Sequence, residues 1–479
     1  MTSESVLSIF REITKIPRES GHEEKMTAFL VDFAKSHNLQ YKKDSTGNVL
    51  IIKEATPGKE EVPTLVLQGH QDMVCEKVAS SNHDFGKDPI EYVIEDGWMV
   101  AKETTLGADD GIGVAACLAI LQSDLPTGRL ECLFTISEET GMDGAMALES
   151  GFFTGKTLIN LDSEDEGQLF VGCAGGVNTM GTFSYVPEEV KEGSSIIKIT
   201  IDGAIGGHSG DDIFKNRCNT LQQMARFLFS VLKEDRTYAQ ILCIDGGNKH
   251  NAIARETYAL LAVPEGRKEE FLSSFRTFGE NLSKEFSVSD PMVQVHAETV
   301  QCPLPAIDSD TAFRLVSCLL ALHHGMLAMS QDIEGLVETS NNVASVKMKD
   351  GGFIEICTSQ RSSVESAKEF IADKIEAVFT LAGATSRRSD PYPGWKPDMG
   401  SHILEVSRRS YVRLFGVEPE IKAIHAGLEC GLFLEKFPGL DMISFGPTLR
   451  GVHAPGEKLD LASNEKFVRH LCDVVTSFK

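Results

Sequence analysis

The sequence predicts an α/β protein: a mixed-sheet catalytic domain interrupted by a large α+β domain. Between residues 60 and 180, strand-like and helix-like runs alternate and end on carboxylates. Near residue 185 the order becomes strand, helix, strand, strand, helix, strand, with alternating faces. After "SRRSDPYPGWKPDMGS", rich in Pro, Gly and charge, the loop-rich character of residues 60 to 180 returns. A chain of 479 residues exceeds one ordinary hydrophobic core. We therefore expect residues 1–185 and 399–479 to make one catalytic domain, with residues 186–398 inserted as a lid.

Each element has its own signal. Residues 4 to 16, and then Glu23 to Phe33, carry apolar positions at helical spacing. "NVLIIKE" and "TLVLQGH" read as strands separated by the turn-like "ATPGKEEVP". "GADDGIGVAACLAILQS" opens with glycine and acids and continues as a small-residue apolar helix. "GRLECLFTISEETG" is a strand entering an acidic loop, and "KTLINLDSEDEG" is a strand ending in carboxylates. Parallel strands in this order present functional residues at their carboxyl ends. In the insertion, "SSIIKITIDGAIGGHSG", the helical "NTLQQMARFLFSVLKE", "YALLAVPEG" and the segments after them suggest two related halves.

Composition narrows the function classes. An apolar share of 42% with 7% aromatic residues is that of a globular protein. The net charge of -24 argues against nucleic acid or an anionic membrane as partner, since both need an excess of Lys and Arg. Eleven dispersed cysteines with no close Cys-x-x-Cys pair indicate neither a zinc ribbon nor a thioredoxin-type site. The opening segment lacks the basic and apolar regions of a signal peptide, and "GIGVAACLAIL" is too short to span a bilayer. The expected compartment is the cytoplasm.

The chemistry concentrates at strand and helix ends. His70 and Asp72, two apart where "TLVLQG" stops, face the same way. Such a pair suits a metal-bound imidazole oriented by a carboxylate, or a surface hydrogen bond. Asp109 and Asp110 open a helix, where acids cap the amides or bind a cation, and one carboxylate can span two ions. Glu138 and Glu139 point in opposing directions if their strand continues through them, so that one binds metal while the other serves as general base. Asp162 has the same placement, whereas Glu164, Asp165 and Glu166 read as solvated. Like charges gathered this way need a cation, or their pKa values rise and they protonate. Mixed imidazole and carboxylate donors favour zinc, with cobalt or manganese as substitutes. His453 in a turn-rich loop and His208 in "GGHSG" are further candidates, and His425 and Glu429 are i and i+4 if helical.

The ordered set "GHQDMV", "LGADDGIG", "TISEETGMDGA", "LINLDSEDEG", "GGHSG", "NAIARE", "SQRSS", "HAGLECG" and "FGPTLRGVHAPGE" resembles that of the M20 metallopeptidases. Within them it is most similar to the aminoacyl-histidine dipeptidase branch (Xaa-His dipeptidase, peptidase D, cytosol non-specific dipeptidase). The resemblance covers essentially the whole chain and implies a zinc-exopeptidase domain with a lid. It implies two zinc ions, one held by His70 and Asp162, the other by Glu139 and His453, with Asp109 bridging. It further implies that Asp72 orients His70, that Glu138 is the general base and that His208 polarises the scissile carbonyl. Asn251 and Arg361 would bind substrate, Arg361 through the terminal carboxylate, and Glu429 matches a position near the substrate amine. A homodimer is reasonable on the same grounds. Asp110 stands where close relatives often have Asn, and the lid is about twice the length found in simpler members.

The expected activity is hydrolysis of unblocked dipeptides, Xaa-His included. An N-acyl amino acid amidohydrolase with the same metal core is the alternative enzyme. A silent metal-binding scaffold is the non-enzymatic one.

Overall fold

The computed structural model describes all 479 residues, which form two compact units. The first comprises residues 1–172, 395–423 and 428–479, and the second residues 173–394 and 424–427. These junctions correct the expected ones at 185/186 and 398/399. The strand Gln168–Cys173 passes into the strand Gly175–Ser184 through Ala174 alone, so the chain changes sheets with no linker composition to mark it.

The first unit is built on an eight-stranded mixed sheet. Its order is Gln40–Lys43, Val49–Lys53, Leu130–Thr135, Leu65–His70, Thr157–Asn160, Asp441–Ser444, Gln168–Cys173 and Glu420–Ile424. The four strands from Leu130–Thr135 to Asp441–Ser444 run parallel, and their carboxyl ends lie together. Leu65–His70 and Leu130–Thr135 are buried at every position, which explains their continuous rather than alternating apolar pattern. The helix Ala108–Leu121 lies against Leu65–His70, and every residue in it except Asp109 is buried. Gly69 permits that approach, because a Cβ there would collide with the Asp110 carboxylate. The two expected N-terminal helices are Ser3–Ile13 and Glu24–Ser36; the first buries Val6, Leu7, Phe10 and Ile13 and packs on Ala108–Leu121. No helix of the chain is long and apolar enough to cross a membrane.

The second unit is a nine-stranded antiparallel sheet with helices, and its topology repeats. Ser194–Asp202, helix Thr220–Leu232, Gln240–Gly246, Thr257–Pro264, helix Lys268–Glu285 and Gln294–Thr299 form one half. Their strands lie in the order fourth, first, third, second. Gly175–Ser184, helix Ser309–Ala321, Val337–Lys349, Phe353–Ser362, helix Glu365–Leu381 and Thr385–Tyr392 form the other, with the same internal order. Gly325–Met329 is an extra strand on Val337–Lys349. Each half is the split βαβ arrangement. The halves join between their second strands, where Gly246 pairs with Val346, and the first half is spliced in after the first strand of the other. Their helices bury one shared core, in which Leu221, Phe227, Phe271, Leu315 and Phe379 meet Ile199, Leu261 and Ile356 of the sheet.

Candidate metal centre

Three of the parallel strands deliver side chains to one place. Leu65–His70 ends on His70 and leads to Asp72, Leu130–Thr135 leads to Glu138 and Glu139, and Thr157–Asn160 leads to Asp162. Asp109 enters from the start of the helix Ala108–Leu121, and His453 from the loop before Lys458–Asp460. His70 Nε2 is 3.0 Å from Asp109 Oδ1 and 3.4 Å from Asp162 Oδ1. His453 Nε2 is 3.2 Å from Asp109 Oδ2 and 2.9 Å from the Glu139 carboxylate. The two oxygens of Asp109 thus face two different imidazoles. His70, Asp109 and Glu139 each offer a ligand atom, all within 4.8 Å of one another.

Asp72 serves four neighbours. Its Oδ1 is 3.3 Å from His70 Nδ1, which has no better-aligned partner. Its carboxylate also accepts from the backbone N–H of Glu138 (3.1 Å) and Glu139 (3.2 Å) and from Ser20 Oγ (2.8 Å). The condition that the strand continue through Glu138 and Glu139 is not met. The strand stops at Thr135, Ser137 turns the chain with φ +50°, and both glutamates open the helical turn Glu138–Gly141. Glu23 fixes the turn from behind, accepting from Ser137 N and Oγ, each at 2.9 Å.

The electrostatics are those of a crowded set of acids. Burial works against protonation of His70, but Asp162, Asp109 and Asp72 overcome it and hold the imidazole well above its ordinary value. Hydrogen bonds that it donates to Asp109 and Glu139 raise His453 to about 10. Burial pushes Glu138 well up, reinforced by Glu429, Glu139 and Asp109, and burial beside Asp109 does the same to Asp162. Burial would also raise Asp72, yet His70, Ser20 and the Glu138 amide hold it down to about 2. Acids gathered this closely call for a balancing cation, and imidazole nitrogen with carboxylate oxygen is a donor set that zinc accepts. The residues fit a metal.

Around this cluster, Asp110 Oδ1 accepts from Gly113 N at 3.1 Å, as a helix cap does. Glu429 is 1% exposed; its Oε2 accepts from Gln68 Nε2 (2.6 Å) and Thr135 Oγ1 (2.9 Å), whereas Oε1 has no partner. Burial raises this carboxyl to about 7. His425 and Glu429 do not share a helix, so the helical condition on that pair is not met: the helix begins at Glu429, and His425 belongs to the second unit, where its Nε2 lies 2.7 Å from Ser340 Oγ. Glu166 is not solvated either, since Tyr411 donates to it at 2.5 Å and Lys466 lies 3.2 Å away.

The remaining expected residues lie in the second unit, gathered about Ser209. Asn251 O accepts from Ser209 N at 2.9 Å, and the buried Arg361 donates from Nε to Ser209 Oγ (3.4 Å) and from Nη1 to Tyr392 OH (3.1 Å). Neither hydroxyl is charged. His208 Nδ1 accepts from the N–H of Gly210 and of Asp211, both at 3.3 Å.

Residues 66–477 match the model of peptidase family M20/M25/M40. The chain belongs to the M20 peptidase family. This M20 chain is 38% identical to the cytosol non-specific dipeptidase of Escherichia coli K12, over 97% of its own length and 95% of that protein. It superposes on the crystal structure of aminoacylhistidine dipeptidase from Vibrio alginolyticus with a TM-score of 0.92 and 37% identity, covering 99% of this chain and 96% of that one. The aminopeptidase PepT of Bacillus cereus shares the fold at a TM-score of 0.57 and 17% identity.

The M20 centre also uses residues that sequence reading did not single out. Arg18, Glu23, Gln68, Thr135 and Glu457 are buried beside it. The only signal for Glu457 was its place four residues after His453 in "HAPGE".

Proposed function

We propose that the chain is a dizinc dipeptidase that hydrolyses unblocked dipeptides, the Xaa-His type included, in the cytoplasm. One observation carries the reading: Asp109 turns Oδ1 toward His70 (3.0 Å) and Oδ2 toward His453 (3.2 Å). A carboxylate so placed suits a bridging ligand, with His70 and Asp162 on one side and Glu139 and His453 on the other. Bound zinc would supply Lewis-acid polarisation of the scissile carbonyl and would acidify water, with cobalt or manganese as substitutes.

The chain's own groups do the rest. Glu138, held by its backbone against Asp72, takes the proton of the attacking water and passes it to the leaving amine. Asp72 keeps His70 oriented, with Nε2 toward the donors. In the second unit, His208 donates to the substrate carbonyl and Asn251 hydrogen-bonds the peptide. Arg361 there takes the terminal carboxylate through its paired donors.

Glu429 supports this reading over an amidohydrolase acting on N-acyl amino acids. Its buried, unpartnered Oε1 suits a substrate ammonium. The test is to strip the purified protein of metal, reload it with zinc and offer Ala-His, β-Ala-His, Leu-Gly and an N-acetyl amino acid. Zinc-dependent cleavage of the free dipeptides alone is expected. Preference for the acetylated substrate would replace the reading with its alternative, and activity in metal-free protein would end it.

A further inference from the structure

Glu457 is 2% exposed, and its carboxylate accepts from four successive backbone amides. Oε2 takes Leu106 N (2.7 Å) and Gly107 N (2.9 Å), and Oε1 takes Ala108 N (2.8 Å) and Asp109 N (3.4 Å). Converging amides of this kind form an anion-binding nest, filled here by the protein's own side chain. The nest needs Gly107 in the left-handed region at φ +68°, and a Cβ there would strike Arg18 and Met73.

Arg18, also 2% exposed, holds the other side of the same peptide. Its Nη2 donates to Gly107 O, while Nη1 donates to the carbonyls of Gln71 (3.1 Å) and Asp72 (2.5 Å). The Gly107 peptide is therefore gripped between a buried carboxylate and a buried guanidinium. Glu457 stands in the turn that follows His453, closed by Glu457 N donating to Ala454 O at 3.1 Å. One chain of charge-assisted hydrogen bonds thus ties together three segments that carry candidate ligands: residues 70–72, 107–109 and 453–457.

We propose that Glu457 is a positioning residue of the metal centre: it sets Asp109 against His453 before any metal arrives, and Arg18 extends the same frame to His70. This rests on the two-metal reading above. Glu457→Gln preserves shape but turns an NH2 group toward amides that also donate, so the nest must open. Zinc affinity, read by competition with a chromogenic chelator, should fall about 10–100-fold, the usual loss when a partner behind a ligand is removed. The visible absorption of the cobalt-loaded variant should shift as well. Gly107→Ala, which keeps the carboxylate and disturbs the nest, should move both readouts the same way. A merely structural role would lower the melting temperature of the metal-free variants and leave affinity and spectrum at wild-type values.

If neither variant folds, hydrogen exchange on the wild-type protein decides. The amides of Leu106, Gly107 and Ala108 should be equally protected with and without zinc, and rapid exchange in metal-free protein overturns the proposal. Wild-type zinc affinity in Glu457→Gln, beside a wild-type control that binds zinc, also overturns it while the two-metal reading stands. A control that takes up no zinc removes both.

Discussion

The candidate site residues of the two units carry opposite charge. The first gathers Asp109, Glu138, Glu139 and Asp162 about two imidazoles, with more acid than its own cations can balance. The second buries Arg361 against two hydroxyls. Burial there has lowered His425 to about 3 and His324 to about 4. Uncompensated buried charge is expensive, so the proposed function sets a cation among the acids of the first and a substrate carboxylate on Arg361 of the second.

Removing metal should break this contrast most severely. Chelation is expected to abolish turnover and to lower stability by about 4 kcal/mol relative to protein held at a thousand times the dissociation constant, as calorimetry would read it. Glu138→Gln comes next, with kcat falling about 10²–10⁴-fold while bound zinc, measured by elemental analysis, is unchanged. If this variant also lost its zinc, Glu138 and Glu139 would have exchanged roles.

Arg361→Met should raise KM for free dipeptides about 10–100-fold, as expected for charged hydrogen bonds of about 1.5–3 kcal/mol. Dipeptide amides, which lack the carboxylate, should be cleaved no worse than by the wild type; an equal loss on both substrates would show that Arg361 supports the fold instead.

The smallest effect concerns pH. His324 has a folded pKa of about 4, depressed by burial, where its Nδ1 accepts from Asn219 Nδ2 (3.2 Å) and Val343 N (3.3 Å). Between that value and the ordinary one near 6.5, only the unfolded chain takes up the proton. Stability is therefore full above about pH 6.5 and falls toward pH 4, by at most about 1.4 kcal/mol per pH unit for this group. His324→Asn keeps an acceptor without the titration, and denaturant melts across the window should show a shallower slope. An unchanged slope would assign the acid sensitivity elsewhere.

Much of the first unit was legible because parallel strands announce themselves by continuous burial and place their functional residues at one end. His70, Asp109, Glu139, Asp162 and His453 each sit at a strand or helix end or in a loop that also had a structural reading, and the family resemblance was what ordered them. The Glu138–Gly141 turn escaped because a left-handed Ser137 has no sequence mark of its own. Arg18 and Glu457 escaped for a deeper reason. They bind backbone amides and carbonyls, which every residue possesses, so neither spacing nor residue type at the far end records the contact. The junction at 172/173 was hidden likewise, since two strands of different sheets follow each other almost without a break.

Residues 424–427 belong to the second unit although the rest of it ends at residue 394. There Ala174 N donates to the carbonyls of Ile424 and Ala426, each at 3.0 Å, and His425 meets Ser340. As the chain leaves the ribosome, this insertion must wait with an open seam until a late tetrapeptide is made. Neither unit can be moved to another protein as a single continuous cassette.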